Sequence, residues 1–411
     1  MVYSQPDRHR VSPQEATLLL EQHCPKPRVV TVPLAEAGHR ILAEPVRADA
    51  DQPRFDRVCM DGVAIRCQTE RPRSWHHGGL QVAGTPPLTL FDDAAAFEVM
   101  TGAVCPEGCD TVIPYEDLEQ EANLWRLKPS ASYRSRQHIQ VRGSEYRQDT
   151  LLIDKGVLLR APELAILAAV GKQCVAVQAR PRIHVISNGH ELVGVEQHPL
   201  PYQIRDSNST AIQACLRSFG FDQLTLHRAD DDETSLTSLL HQALEHAEVL
   251  ILSAGVSRGL KDLVPVVLRR LGVKDVFHEI EQKPGRPFWF GQTATGQLVF
   301  GLPGNPVATL MNLRRFVIPT LALWEGQAQG LQQVLLADDR EAGAVERMLP
   351  VCLEGGTSEP FRAHVKAMQG SGDFASLQGT DGFICLPPNR DRWQQGTQVA
   401  FFDWSPSYAR R

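Results

Sequence analysis

Residues 249–262 read Val249-Leu250-Ile251-Leu252-Ser253-Ala254-Gly255-Val256-Ser257-Arg258-Gly259-Leu260-Lys261-Asp262. The four leading apolar residues run without alternation, the pattern of a strand buried on both faces. The loop that follows is rich in small residues, which let backbone amides come close to a ligand. A helix expected to begin near Asp262 adds partial positive charge at its N-terminus, so the carboxyl end of this strand is a natural oxyanion cradle. Taken alone, the loop reads equally well as an ordinary glycine-rich turn. It has neither the Gly-Lys-Ser/Thr ending of a nucleoside-triphosphate loop nor the G-x-G-x-x-G spacing of a dinucleotide site.

Outward from this stretch, strands and helices alternate from Arg182 to Leu323. Strands are expected at Ile183 to Ser187, Gln223 to His227, Val249 to Ser253 and Leu298 to Leu302. Helices are expected near Asn208 to Ser218, Glu233 to Glu245 and Asp262 to Leu271, and from Pro306 onward. That order predicts a parallel sheet covered by helices on both faces, a central three-layer α/β domain. Two further turns are stiff. In Lys283-Pro284-Gly285-Arg286-Pro287 the prolines restrict how Lys283 and Arg286 point, which suits recognition of an oxyanion by a point charge and a planar fork. In Gly301-Leu302-Pro303-Gly304-Asn305-Pro306, Pro306 is the first helical residue behind an Asn305 cap. Turns after successive strands of one sheet fall along its carboxyl edge, where open α/β sheets bind ligands. Ser253, Gly255, Ser257, Lys283, Arg286, Pro303, Gly304, Asn305 and Pro306 are therefore candidate substrate-binding residues. Glu191, Asp231 and Asp262 stand at comparable places. Oxyanions together with several carboxylates imply Mg²⁺, with Asp231 and Glu191 as its ligands. For Asp231 and Asp262 the alternative is helix capping.

At the start of the chain, Ser12-Pro13-Gln14-Glu15 is a capping box, followed by Ala16, Leu19 and Leu20 on one helical face. From Asp51 to Arg142 short β-type runs appear: Phe97 to Thr101, Thr111 to Pro114, Leu124 to Leu127 and Ile139 to Arg142. Helix returns over Leu158 to Val170, and the opening helix is expected to pack with it, which makes the β-rich stretch an insertion. Beyond a Gln/Gly-rich linker, Gly326 to Gln333, a terminal β domain follows. The 411 residues, with 42% hydrophobic and 22% charged, exclude disordered, collagenous and coiled-coil classes. A net charge of −6 offers no general drive toward nucleic acid. The nine cysteines show no C-x-x-C pair, no apolar leader opens the chain, and no run is long enough to span a membrane. A cytoplasmic protein with reduced thiols is expected.

Read in order, Met60-Asp61-Gly62, Met100-Thr101-Gly102, Gly189 with Glu191-Leu192, Ser253 to Gly259 with Asp262, Lys283-Pro284-Gly285 and Gly301 to Pro306 resemble the molybdopterin molybdenumtransferase family, MoeA in bacteria and the homologous domain of gephyrin in animals. By themselves, Asp61-Gly62 read as a hairpin turn. The resemblance implies a helical domain of two segments (7–46 and 147–178), an inserted β-rich domain (47–146), a molybdopterin-binding α/β domain (179–326) and a C-terminal β barrel (332–411). It implies a homodimer with active sites shared between subunits, and other proteins of the same biosynthesis as further partners. The implied reaction inserts molybdate into adenylylated molybdopterin and releases AMP, with Mg²⁺. Carried over by motif, Asp61, Glu145, Glu191, Asp231 and Asp262 are the catalytic residues, while Thr101, Arg142 and Ser371 join the substrate-binding set. Three positions depart from the family pattern: Ser144 in Gly143-Ser144-Glu145, His190 in Gly189-His190-Glu191, and Glu279 at a customary lysine. They motivate a second reading, a paralogue that binds a pterin or a protein partner with little insertase activity. A third reading keeps the α/β domain and gives it a different nucleotide.

Overall fold

The computed structural model describes residues 10–229, 232–255, 263–327, 330–356 and 359–406. The chain divides into two compact units, Thr31–Ala176 and the remainder on either side of it.

The larger unit is built on a seven-stranded sheet. Its spatial order is Arg10–Val11, Lys274–Ile280, Pro287–Gln292, Leu298–Leu302, Val249–Ser253, Ile183–Asn188 and Leu224–Ala229. The last four are mutually parallel. Along Val249–Ser253, Val249 and Ile251 enter one apolar cluster with Ile212, Leu216 and Phe316, while Leu250 and Leu252 enter another with Leu236, Leu240 and Val267. Both faces are therefore covered, and the expected three layers are present. The purely parallel sheet is corrected at Pro287–Gln292, which runs antiparallel to both neighbours. The turn before it is too short for a crossover, so the chain returns beside the strand it has just left.

The opening helix, Pro13–His23, is capped as its sequence dictates, with Ser12 Oγ accepting from Glu15 N at 3.2 Å. Its packing differs from expectation. Ala16 and Leu20 lie in the α/β core with Phe290 and Trp324, so its apolar face is used within the larger unit.

The chain from Pro306 to Trp324 is one helical run interrupted by a π turn at Leu313–Val317. Pro319 has no N–H to give to the carbonyl four residues back and crowds it, and a wider turn relieves that conflict. Two adjacent arginines of the π turn reach the C-terminal domain. Arg314 Nη2 meets Asp403 Oδ1 at 2.7 Å, and its Nε donates to the Asp403 carbonyl at 2.7 Å. Arg315 pairs with Glu346. That domain is a closed five-stranded barrel in the order Glu346–Glu354, Arg362–Val365, Gln332–Leu336, Gln398–Asp403, Gly382–Leu386, with the last strand paired back to the first.

The unit Thr31–Ala176 carries a six-stranded sheet: Thr111–Pro114, Gly62–Ile65, Ala95–Val99, Ser74–Gln81, Leu124–Leu127, Leu118–Glu121. Alternation works here as in the larger unit, since Val63 and Ile65 face one core and Ala64 the other. All nine cysteines are free thiols, and burial pushes those of Cys105, Cys109, Cys215 and Cys385 up to about 12, which makes them unreactive packing groups. Among the described residues no helix is long and apolar enough to cross a membrane.

Removing one member of a buried ion pair strands the other charge. Arg314→Ala is expected to cost about 3–5 kcal/mol in urea unfolding followed by tryptophan fluorescence. The double change Arg314→Met with Asp403→Leu should be close to neutral.

Candidate active site

Strand register brings the expected turns to one rim. Ser187 is opposite Ser253, Ser253 is opposite Leu302, Gly301 is opposite Trp289, and Glu279 is opposite Pro287. Because Pro287–Gln292 is antiparallel to both neighbours, the strand ending at Ile280 points the same way as those ending at Asn188, Ser253 and Leu302. All four therefore end on the same edge.

After Ser253 the backbone turns left-handed at Ala254 and Gly255, both with φ near 76°. A Cβ on Gly255 would come within 2.7 Å of Val264 and 2.9 Å of the Asn188 amide, so only glycine fits there. Ser257, Asp231 and Asp262 lie outside the described residues. At the start of the helix that follows, Asp232 accepts from Thr234 N and Ser235 N at 3.0 Å each. The Ser235 side chain first, then the Ser235 and Thr234 N–H groups, hold its carboxyl below the usual range.

The sequence reading missed Asn208. Its Nδ2 donates to Ser253 Oγ and to the Gly304 carbonyl, each at 2.8 Å, tying the loop after one strand to the turn after the next. Its amide oxygen is buried and has no hydrogen-bond partner among the described residues. The only trace in the sequence is a polar residue just inside the helix Ser207–Ser218, which capping by Asp206 already accounts for.

In the turn Gly301 to Pro306, Thr309 Oγ1 donates to the carbonyls of Pro303 and Asn305, the latter at 3.0 Å. Asn305 occupies the cap position, but its side chain does not cap its own helix. Its Nδ2 donates instead to Ser371 Oγ at 2.8 Å, and the Ser371 carbonyl accepts from Val307 N at 3.2 Å. Ser371, from the barrel domain, thus joins Asn305 and Pro306 at the rim.

The Lys283 turn is held from below, with the Gly285 carbonyl accepting from Gln282 Nε2 at 3.1 Å and Asn312 Nδ2 at 3.0 Å. A Cβ on Gly285 would lie 2.7 Å from the Asn312 amide. Lys283 is exposed. Arg286, expected to attract an oxyanion, directs its fork to Glu279, with Nε and Nη2 at 3.0 and 2.9 Å from Oε2. The same oxygen receives Arg10 Nη2 at 3.2 Å. Glu279, a charge reversal by sequence, is buried and outnumbered by two guanidinium groups.

Glu191 is exposed, its carboxylate folded over the backbone of Gly189, where a Cβ would lie 2.7 Å from Oε2. An oxygen donor with no competing ion pair among the described residues is of the type Mg²⁺ takes. No group of three metal-ligating side chains exists among the described residues.

Within Thr31–Ala176, Asp61 and Thr101 meet. Asp61 Oδ1 accepts from Thr101 N at 2.6 Å and Thr101 Oγ1 at 2.7 Å. These bonds hold the Asp61 carboxyl below its ordinary range, so it is ionised at neutral pH. Glu145 accepts from Arg57 at 2.8 Å and Gln140 at 2.9 Å. Arg142 donates its backbone N–H to Asp56 at 2.7 Å and its Nε to Asp51 at 2.9 Å.

A three-layer α/β domain whose carboxyl rim gathers glycine- and proline-rich turns, completed by a residue from an appended barrel, defines the class: a multidomain α/β protein with a candidate ligand site on the sheet edge. Three family descriptions match the chain in order: MoeA N-terminal region (domain I and II) over residues 11–171, probable molybdopterin binding domain over 184–323, and MoeA C-terminal region (domain IV) over 333–404. A molybdopterin molybdenumtransferase of Synechocystis sp. is 34% identical over 398 residues, covering 96% of this chain and 100% of that protein. One of Synechococcus elongatus is 32% identical, covering 90% and 93%. A crystal structure of the molybdopterin biosynthesis MoeA protein from Pyrococcus horikoshii superposes with a TM-score of 0.74 at 26% identity, over 96% of this chain and 99% of that one. The chain belongs to the molybdopterin molybdenumtransferase family.

The Asp61 carboxyl titrates lower in the fold than in the unfolded chain. The stabilisation from the Thr101 bonds is therefore complete above the unfolded carboxyl's range and is lost as pH falls through the folded value. Thr101→Val should raise the Asp61 midpoint toward the ordinary carboxyl value in an NMR titration of the side-chain carbon. An unmoved midpoint would show that the backbone N–H alone sets it.

Proposed function

We propose that this chain acts in molybdenum cofactor biosynthesis as a molybdopterin molybdenumtransferase, joining molybdate to adenylylated molybdopterin with release of AMP. The observation that carries this reading is the pinned rim: Asn208 ties Ser253 to Gly304, and Ser371 ties the barrel to Asn305. Backbone amides beyond Ser253 and around Gly304 are suited to an anionic group of the pterin nucleotide, and Lys283 supplies a point charge for the incoming oxyanion. Glu191 and Asp231 are the residues that would hold Mg²⁺. When bound, the ion would screen the phosphoanhydride oxygens and favour departure of AMP. Asp61, kept ionised by Thr101, is a further carboxylate of the reaction, with Glu145 beside Arg57. Catalysis of this kind is mainly positioning and electrostatics. A cytoplasmic homodimer is the proposed assembly, and light scattering after gel filtration should give twice the chain mass.

The pairing of Glu279 with Arg10 and Arg286 weakens the case for a non-catalytic paralogue, which rested partly on that charge reversal. Purified protein given adenylylated molybdopterin, molybdate and Mg²⁺ should form cofactor and AMP. Asp231→Ala and Glu191→Ala should each lower kcat by about 10²-fold or more, the scale of a lost electrostatic stabiliser. Absence of turnover in the unaltered chain would refute the proposal.

A further inference from the structure

The short strand Arg57–Val58 serves both carboxylates that the unit Thr31–Ala176 brings to the proposed reaction, Asp61 and Glu145. On one side, the Val58 carbonyl accepts from Gly102 N and Val58 N donates to the Ala103 carbonyl, each at 2.9 Å, which fixes the loop whose Thr101 holds Asp61. On the other side, Arg57 is opposite Gln140 and Val58 opposite Ile139 in an antiparallel ladder. Residues opposed in such a ladder project from the same face. Arg57 and Gln140 therefore emerge side by side, and both reach Glu145.

The three side chains close a ring. Arg57 Nη2 donates to Gln140 Oε1 at 2.5 Å and to Glu145 Oε1 at 2.8 Å, and Gln140 Nε2 donates to the same Glu145 oxygen at 2.9 Å. The backbone beneath is anchored separately, with Glu145 N donating to the Gln52 carbonyl at 2.9 Å and Gly143 N to the Pro53 carbonyl at 3.0 Å. Main-chain bonds thus place the residue, and Arg57 decides which way its carboxylate turns. With serine at position 144, Glu145 is the one acid of Gly143-Ser144-Glu145. Of the nearby arginines, Arg142 and Arg147 both act on Asp51, so Arg57 is the cation on Glu145. Oε1 is held by two donors, whereas Oε2 has no partner among the described residues. An ion pair as exposed as this one adds little to stability. Its consequence is directional: the guanidinium fixes one carboxylate oxygen in a set geometry, and an acid used in a reaction loses rate when it is free to turn away.

We infer that Arg57 is a positioning residue of the reaction: it holds Oε1 of Glu145 and leaves Oε2 for the reacting group. This rests on the proposed function for the part Glu145 plays, and on the geometry for how Glu145 is held. In the full-length protein given adenylylated molybdopterin, molybdate and Mg²⁺, Arg57→Ala should lower kcat at least about tenfold with the molybdate KM little changed. Arg57→Lys, which keeps the charge and loses the fork, should recover part of that loss. Arg57→Ala combined with Glu145→Gln should be no slower than Glu145→Gln alone, because Arg57 acts through that carboxylate. A general loosening of the strand would release the Thr101 loop as well, so the Asp61 midpoint, read by NMR of its side-chain carbon, should stay as low in Arg57→Ala as in the unaltered chain. Unchanged kcat in Arg57→Ala overturns the inference. So do losses that multiply in the double variant, or an Asp61 midpoint that rises with Arg57→Ala. The side-chain carboxyl carbon resonance of Glu145, which needs no turnover, should shift in Arg57→Ala and return partway in Arg57→Lys, and an unmoved resonance overturns the inference too. If Arg57→Ala does not fold, an Arg57→Lys protein with unaltered kcat and resonance overturns it equally. A shifted Glu145 resonance in a chain that releases no AMP would sustain the placement of Glu145 by Arg57 and refute the proposed reaction.

Discussion

Arg314 and Arg315 hold the molecule's chemistry together. They are consecutive, both nearly buried, and their acidic partners, Asp403 and Glu346, come from two barrel strands. A guanidinium withdrawn from water is tolerable only when paired and hydrogen-bonded, so each arginine admits essentially one placement of the barrel against the α/β helix. Phe219 and Phe402 add to the constraint, with the Arg314 guanidinium 4.6 and 5.8 Å from their ring centres. Two contacts at the rim depend on this docking. Ser371 reaches Asn305 only from a barrel held there, and Lys283 acquires Arg347 as a neighbour only because Gln282–Lys283 pairs with the strand that carries Glu346.

Charge at the rim is decided by who is paired with whom, not by counting residues of each sign. Glu279 stands where the family pattern has a lysine, yet its carboxylate is clamped by Arg10 and Arg286, and the cluster remains cationic. Arg10 reaches this position through a two-residue edge strand in parallel register with Glu279. Local composition did not signal that compensation. It follows from an edge strand contributed by the far end of the chain.

Much of the architecture was legible because it is written in short-range terms. The strand Val249–Ser253 and the strand Leu298–Leu302 fall where their apolar runs end in glycine and proline turns, and the capping box at Ser12 starts its helix as expected. What escaped the reading has equally physical causes. The strands Lys274–Ile280 and Pro287–Gln292 mix aromatic residues with charges, and flank a turn that drew attention for its cations. The opening helix shows an apolar face but not its destination, since Ala16 and Leu20 suit any greasy surface of the right shape. Asn208 hid inside a well-formed helix start whose cap explained the local polarity.

The sequence by itself determined the alternation of the parallel strands with their helices, the stiff glycine- and proline-rich turns that follow them, and the family to which the motifs point, because periodicity, glycine and proline act within a few residues. Only the tertiary structure decided which charges are consumed and which are free for a ligand. Arg10 and Glu279 are 269 residues apart, Arg314 and Asp403 are 89, and Asn305 and Ser371 are 66. Electrostatic attraction and burial depend on distance through space, and no local pattern encodes that distance.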